Sequence, residues 1–124
     1  MMDQLPLVLW SLLLILLQVF HIFEEIGGEA YELAGSLKKY LLVAAALVTL
    51  NVAFLALIIL GCRVGYYLGI VGSVIAILNG GVHLVGYAKT RFFSKGSGAG
   101  VFTGIPLAFT GVVVLYLLVR AILA

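Results

Sequence analysis

The sequence predicts an all-α, polytopic membrane protein that forms a four-helix transmembrane bundle. Of its 124 residues, 65% are hydrophobic and only 10% are charged, and the apolar residues form four long runs separated by short polar segments. A soluble domain of this length would leave much of that apolar surface in water, because small domains bury only about two-thirds of what the unfolded chain exposes. The same composition excludes a disordered chain and a disulfide-stapled secreted module.

Each of the four runs is long enough to cross a bilayer, whose apolar core of about 30 Å takes about 20 helical residues. We expect spans at residues 5–26, 40–60, 64–88 and 101–123, all within one domain that occupies the chain. The first run has no Lys or Arg before it and no small-residue cleavage pattern after it. It is therefore interpreted as a retained helix and not as a signal peptide.

The charged residues between the runs predict the orientation in the membrane. In a four-span chain the first and third loops share one side, which here carries five positive residues: Lys38, Lys39, Lys89, Arg91 and Lys95. The other side carries Arg63 and Arg120. The positive-inside rule places the more basic side in the cytoplasm, so we expect both termini outside, in an inner or plasma membrane. The net charge of +2 is too small to indicate a nucleic-acid partner.

Small residues recur at spacings of three and four along the third run, at Gly61, Gly65, Gly69, Gly72 and Ala76. At 100° per residue they fall within an arc of about 80°, which lets another helix approach closely. Such a face predicts helix packing inside the bundle and is also compatible with a homodimer.

Several polar residues interrupt the first and third runs: Gln18, His21, Glu24, Glu25, Asn79 and His83. Ionisable groups cost about 2.5 to 3.5 kcal/mol at the centre of a spanning helix, so their presence calls for an explanation. The first and third spans run in the same direction, and the two histidines lie about 16 and 19 residues into them, at similar depth. We therefore expect these polar residues to converge on one site near the cytoplasmic face.

The segments that carry these residues resemble a known family. HIFEE at residues 21–25 is similar to the His-x-x-Glu-Glu signature of the HXXEE-domain membrane proteins, and NGGVH at residues 79–83 resembles the Asn-x-x-x-His element that accompanies it. The resemblance covers nearly the whole chain as four helices. Because the family has no characterised reaction, the resemblance strengthens the site and implies no activity.

The first hypothesis for the site is a metal centre. Two imidazoles and a carboxylate, from His21, Glu25 and His83, suit Zn, Mn or non-haem Fe, and helices of bundles commonly present such ligands inward. The candidate catalytic residues are Glu24, Glu25 and Asn79: a glutamate that is not a ligand could act as general base, and the amide could orient a ligand or bind an oxyanion. A substrate that enters from lipid would be a small apolar or lipid-like molecule.

The same residues are compatible with four other interpretations. A glutamate and a histidine could form a metal-free acid/base couple. Proton relays in membranes also use Glu and His, which suggests a small proton-coupled transporter. His21 and His83 could ligate a haem axially. Finally, the polar side chains could simply join helices by hydrogen bonds, worth about 0.6 kcal/mol each on average.

Overall fold

The protein is all-α in its computed structural model, which describes residues 4–91 and 98–124. Its long helices are α1 (Leu5–Gly27), α2 (Leu37–Ile59), α3 (Val64–Thr90) and α4 (Val101–Leu123), and a short 3₁₀ helix (Ala30–Ala34) connects α1 and α2. All four long helices are long and apolar enough to cross a membrane. The predicted four-helix fold is confirmed, and the chain is a multi-pass membrane protein.

The helices pack in the cyclic order α1, α2, α3 and α4, so that α1 and α3 are diagonal neighbours across the bundle. The ends of α1 and α3 meet the starts of α2 and α4 at one end, which we name the histidine end. There Glu25 of α1 contacts Tyr40 of α2, and Glu24 contacts the start of α4. At the opposite end, Gln4 Nε2 donates a hydrogen bond to the Tyr66 hydroxyl at 3.0 Å.

Helix α2 begins at Leu37, three residues earlier than the predicted span. Ser36, the residue before α2, has an extended backbone conformation. Its side chain accepts a hydrogen bond from the Lys39 amide at 3.2 Å, which is typical of a helix N-cap. Helix α3 continues to Thr90, whose hydroxyl donates to the carbonyl of Gly86. The start of α2 is therefore set by a hydrogen bond that hydropathy does not report. The predicted loop between α1 and α2 contains the 3₁₀ helix.

The tight turn between α2 and α3 depends on a left-handed glycine. Gly61 has a φ of 72°, the Cys62 amide donates to Leu57 at 2.8 Å, and the Gly61 amide donates to Ile58 at 2.9 Å. This pair of bonds is a Schellman motif, which satisfies the last carbonyls of a helix and favours glycine at the left-handed position. Gly61 thus lies in the turn, and its assignment to the small-residue face was wrong.

The bundle buries an apolar core and leaves an apolar outer surface. Leu14, Phe54, Leu107 and Leu118 are fully buried. Many large apolar side chains on the outward faces are exposed, among them Leu9, Leu16, Phe20, Val71 and Phe109. An exposed apolar surface all round a bundle is expected where lipid, not water, surrounds the helices.

The small-residue face of α3 packs inside the chain. A Cβ at Gly65 would lie 2.8 Å from the backbone of Ile58 in α2, and one at Gly72 would lie 2.5 Å from Asn51 Oδ1. The prediction of close packing inside the bundle is confirmed for this part of α3. A homodimer would have to use another surface.

Helices α3 and α4 approach each other closely at Gly80. A Cβ there would overlap the carbonyl oxygen of Gly104 and lie 2.6 Å from Cβ of Ala108, whereas a Cβ at Gly81 would have nothing within 4 Å. Two neighbouring glycines of the NGGVH segment thus differ completely in their surroundings. Gly80 lets α4 lie against α3 one turn from His83, and the start of α4 is thereby brought to the histidines.

Candidate metal centre

His21 and His83 meet across the diagonal of the bundle. Each lies within the last two turns of its helix, on α1 and α3 respectively. Their ring centroids are 4.8 Å apart and the rings are nearly perpendicular, at 79°. Both side chains are buried, with residue exposures of 0% and 3%. The predicted match in depth and facing between these two residues is confirmed.

Glu25 joins the two histidines. Its Oε1 lies 2.8 Å from His83 Nε2, and its Oε2 lies 3.7 Å from His21 Nε2. The Tyr40 hydroxyl of α2 donates a hydrogen bond to Oε2 at 2.6 Å. One donor atom from each of His21, Glu25 and His83 lies within 4.8 Å of the other two. We name these three residues the His-Glu-His cluster.

Glu24 has a different environment, although it is the neighbour of Glu25 in the chain. Its carboxylate accepts hydrogen bonds from the amides of Phe102 and Thr103, at 3.2 and 2.9 Å, and from the Thr103 hydroxyl. These amides belong to the first turn of α4, where unpaired N–H groups and the helix dipole favour a carboxylate. Glu24 therefore caps α4 from another helix, while its predicted catalytic role stays a prediction.

Helix α4 covers the cluster through its first residues. His21 Nδ1 lies 2.9 Å from Thr103 Oγ1, within hydrogen-bonding distance, whereas His21 Nε2 is buried without a hydrogen-bond partner among the described residues. The N-cap residue Gly100 has a φ of 93°, and a Cβ on it would lie 2.8 Å from His21 and 3.1 Å from His83. Only glycine suits both this backbone conformation and this contact.

Other predicted members of the site lie beside the cluster. Gln18 is buried one turn before His21 on α1. Asn79 is half-buried one turn before His83, and no hydrogen bond joins its side chain to the part of the chain that the structure describes. Its predicted catalytic role therefore has no contact to support it. Lys95 of the predicted basic loop lies outside the described residues.

Three residues that contact the cluster or cover it, Tyr40, Gly100 and Thr103, are not apparent as functional residues from the sequence alone. Tyr40 resembled an ordinary interfacial aromatic residue, and the other two lie where a polar segment passes into an apolar run. Their positions could have indicated a role, because they lie in the first turn or at the N-cap of α2 and α4, the two helices that start at the histidine end.

Two cavities of about 310 and 610 Å³ lie at the opposite end of the bundle, where Gln4 and Tyr66 line both. Neither is lined by a residue of the His-Glu-His cluster. The cluster is instead closely packed, and its most accessible member is Glu25 at 9% exposure.

No family model, curated protein or solved structure matches this chain. The fold and the site define its class: a multi-pass, all-α membrane protein with a buried cluster of two histidines and a glutamate that could hold a metal ion. The resemblance to the HXXEE-domain proteins stays an expectation that rests on the two motifs.

Proposed function

We propose that His21, Glu25 and His83 form the divalent-metal centre of a membrane-embedded enzyme that acts on a small apolar or lipid-like substrate. The observation that carries the proposal is the convergence of three donor atoms from two diagonal helices within 4.8 Å. His21 Nε2 supports it, because a buried polar atom without a partner costs about 1 to 3 kcal/mol. A cation bound by this nitrogen would remove that cost.

The donor set agrees with known preferences of metals. Two imidazoles and one carboxylate are used by catalytic zinc sites and by non-haem iron sites, and both leave coordination positions open. We therefore propose Zn, Fe or Mn. When bound, the ion supplies Lewis-acid chemistry. His83 Nε2 and Glu25 Oε1 lie 2.8 Å apart, a hydrogen bond that needs one proton between them, so uptake of the ion is expected to release that proton.

The surrounding residues have distinct proposed roles. The Tyr40 hydroxyl holds Oε2 of Glu25 and leaves Oε1 directed at His83, which orients the carboxylate as a ligand. Asn79 lies one turn away from His83 and is the proposed contact for a polar group of the substrate. Glu24 could serve as general base only by releasing the amides of α4. The apolar outer surface is the reason for proposing a substrate dissolved in the bilayer.

A metal-free acid/base enzyme is the second candidate, and a specific contact favours it. Glu25 is already paired with His83 at 2.8 Å and accepts a second hydrogen bond from Tyr40, as a couple that transfers a proton would require. Haem is less favoured, because ring centroids 4.8 Å apart leave no room for a porphyrin between the imidazoles. A transporter is also less favoured, because the cluster lies near one end of the bundle.

Metal analysis of the detergent-purified protein tests the proposal. The wild type should hold close to one equivalent of Zn, Fe or Mn, or take it up on reconstitution, and His21→Ala and Glu25→Gln should not. The matched control is Glu32→Gln, which removes an exposed carboxylate at the same end of the bundle. A wild type that stays metal-free after reconstitution with all three ions would overturn the metal centre.

Catalysis needs its own test, because a bound ion alone does not make an enzyme. Metal-loaded wild type and Glu25→Gln are incubated with total membrane lipid, and the products are compared by mass spectrometry. We expect a lipid species to change with the wild type only. If the same species changes with metal-depleted wild type, the acid/base candidate replaces the metal enzyme.

We further propose that the histidine end faces the cytoplasm, because Lys38, Lys39, Lys89 and Arg91 all lie there. Cys62 is the single cysteine and lies in the turn at the opposite end. A membrane-impermeant thiol reagent should label it on intact cells. On a Cys62→Ser background, Ala34→Cys should be labelled only after permeabilisation, and the reverse pattern would invert the orientation.

A further inference from the structure

We infer that Thr103 is a positioning residue which, together with Glu24, fixes the proton of His21 on Nδ1 and leaves the lone pair of Nε2 directed into the His-Glu-His cluster. No residue of α4 belongs to the cluster, yet Thr103 in the first turn of α4 and the backbone of Gly100, its N-cap, both form hydrogen bonds with His21. The inference rests on the proposed function only where it concerns metal affinity.

The direction of the hydrogen bonds follows from Glu24. Both of its oxygens face amide donors of α4, at 3.2 Å from Phe102 and 2.9 Å from Thr103, so the carboxylate is an acceptor on both sides. The hydroxyl of Thr103 therefore donates its single proton to Glu24. With that proton committed, Thr103 Oγ1 can only accept from His21 Nδ1, which lies 2.9 Å away.

A proton on Nδ1 of His21 determines whether Nε2 offers a lone pair or a proton to the His-Glu-His cluster. In the neutral imidazole one nitrogen donates and the other accepts, so Nε2 carries a lone pair. A proton on Nε2 would instead be a buried donor without a hydrogen-bond partner among the described residues, because Glu25 Oε2 is 3.7 Å away. Metal-binding histidines commonly donate their other N–H to such an outer acceptor, which fixes the tautomer and the ring orientation.

The two adjacent glutamates of the HIFEE segment thereby acquire different roles. Glu25 faces the cluster directly, whereas Glu24 acts on His21 through Thr103 and at the same time holds the first turn of α4 in place. The relay runs from the Glu24 carboxylate through the Thr103 hydroxyl to His21 Nδ1. It is built by α1 and α4 together.

The tautomer can be read without any metal. The chain has only two histidines, so ¹⁵N-histidine spectra of the metal-free protein at about pH 8, where an ordinary imidazole is neutral, are assigned with His83→Ala alone. We expect His21 to carry its proton on Nδ1 in the wild type and in Thr103→Ser. In Thr103→Val the proton should move to Nε2 in a large part of the population. Should that variant not fold, Thr103→Ala carries the same expectation.

The affinity for Zn²⁺ is the second readout. Loss of an outer partner of a ligand typically lowers metal affinity by about 10-fold to 100-fold, which we expect for Thr103→Val and not for Thr103→Ser. Thr110→Val is the matched control, because Thr110 is a buried threonine two turns further along α4. An unchanged tautomer in Thr103→Val, or equal loss in Thr103→Ser, overturns the inference.

The two readouts separate the inference from the proposed function. If the tautomer shifts in Thr103→Val but the wild type binds no Zn²⁺, Fe²⁺ or Mn²⁺, the relay stands and the metal centre fails. If the wild type binds a metal and the tautomer does not respond to Thr103→Val, the metal centre stands and the relay fails.

Discussion

Replacing Gly80 with alanine should weaken the packing of α3 against α4, whereas the same replacement at Gly81 should not. A Cβ at Gly80 would overlap the Gly104 carbonyl oxygen and lie 2.6 Å from Cβ of Ala108, and neither neighbour is the end of a flexible side chain. A Cβ at Gly81 would have nothing within 4 Å. The two sites are adjacent in the same helix, so each variant is the control for the other.

The magnitude follows from two opposing effects. Alanine is favoured over glycine in a helix interior by about 1 kcal/mol, and this gain applies at both positions. Overpacking, which applies only at Gly80, costs about 1 to 3 kcal/mol. We therefore expect Gly81→Ala to raise the free energy of unfolding by up to about 1 kcal/mol. The free energy of unfolding of Gly80→Ala should be about 1 to 3 kcal/mol lower than that of Gly81→Ala, because both variants gain the same helix propensity and only Gly80→Ala is overpacked.

Unfolding in mixed micelles of increasing SDS content measures this difference. Trp10 is the single tryptophan and packs edge-on against Phe109 of α4, with ring centroids 6.3 Å apart, so its fluorescence reports the contact of α1 with α4. Under the proposed function, Zn²⁺ affinity should also fall in Gly80→Ala, since α4 carries Gly100 and Thr103. Equal unfolding free energies for the two variants, or a less stable Gly81→Ala, would refute the packing argument.

Three further substitutions test the helix ends and the core. Gly61→Ala should lower the free energy of unfolding by about 1 to 2 kcal/mol, because Gly61 has a φ of 72°. Gly27→Ala should not lower it, because Gly27 has no positive φ and open space around it. Denaturation by SDS compares the two variants. Ser73→Ala should be neutral or stabilising, because its buried hydroxyl has no partner among the described residues, and a thermal midpoint several degrees lower would contradict this. Ser36→Ala, which removes the N-cap hydrogen bond of α2, should instead lower the free energy of unfolding by about 0.5 to 2 kcal/mol.

Much of the fold was predictable because a bilayer constrains a chain strongly. A spanning helix needs about 20 apolar residues, so the four runs could be located from composition alone. The convergence of His21 with His83 was predictable too, because parallel spans with a fixed rise of 1.5 Å per residue place them at one depth. Helix ends were less accessible, since they depend on single hydrogen bonds such as the cap at Ser36.

The length and periodicity of its apolar runs thus let the sequence by itself determine four spans. They also determine that the polar residues of α1 and α3 lie at the same depth in the bundle. Only the tertiary structure decided how the adjacent residues Glu24 and Glu25 differ: about 100° of helix rotation turns one to α4 and the other to the histidines. The tertiary structure also places Tyr40 of α2 against Glu25 and Thr103 of α4 against His21, because the first turns of both helices lie beside the end of α1. The physical reason is that periodicity reports which way a side chain points, whereas its partner depends on which helix packs there.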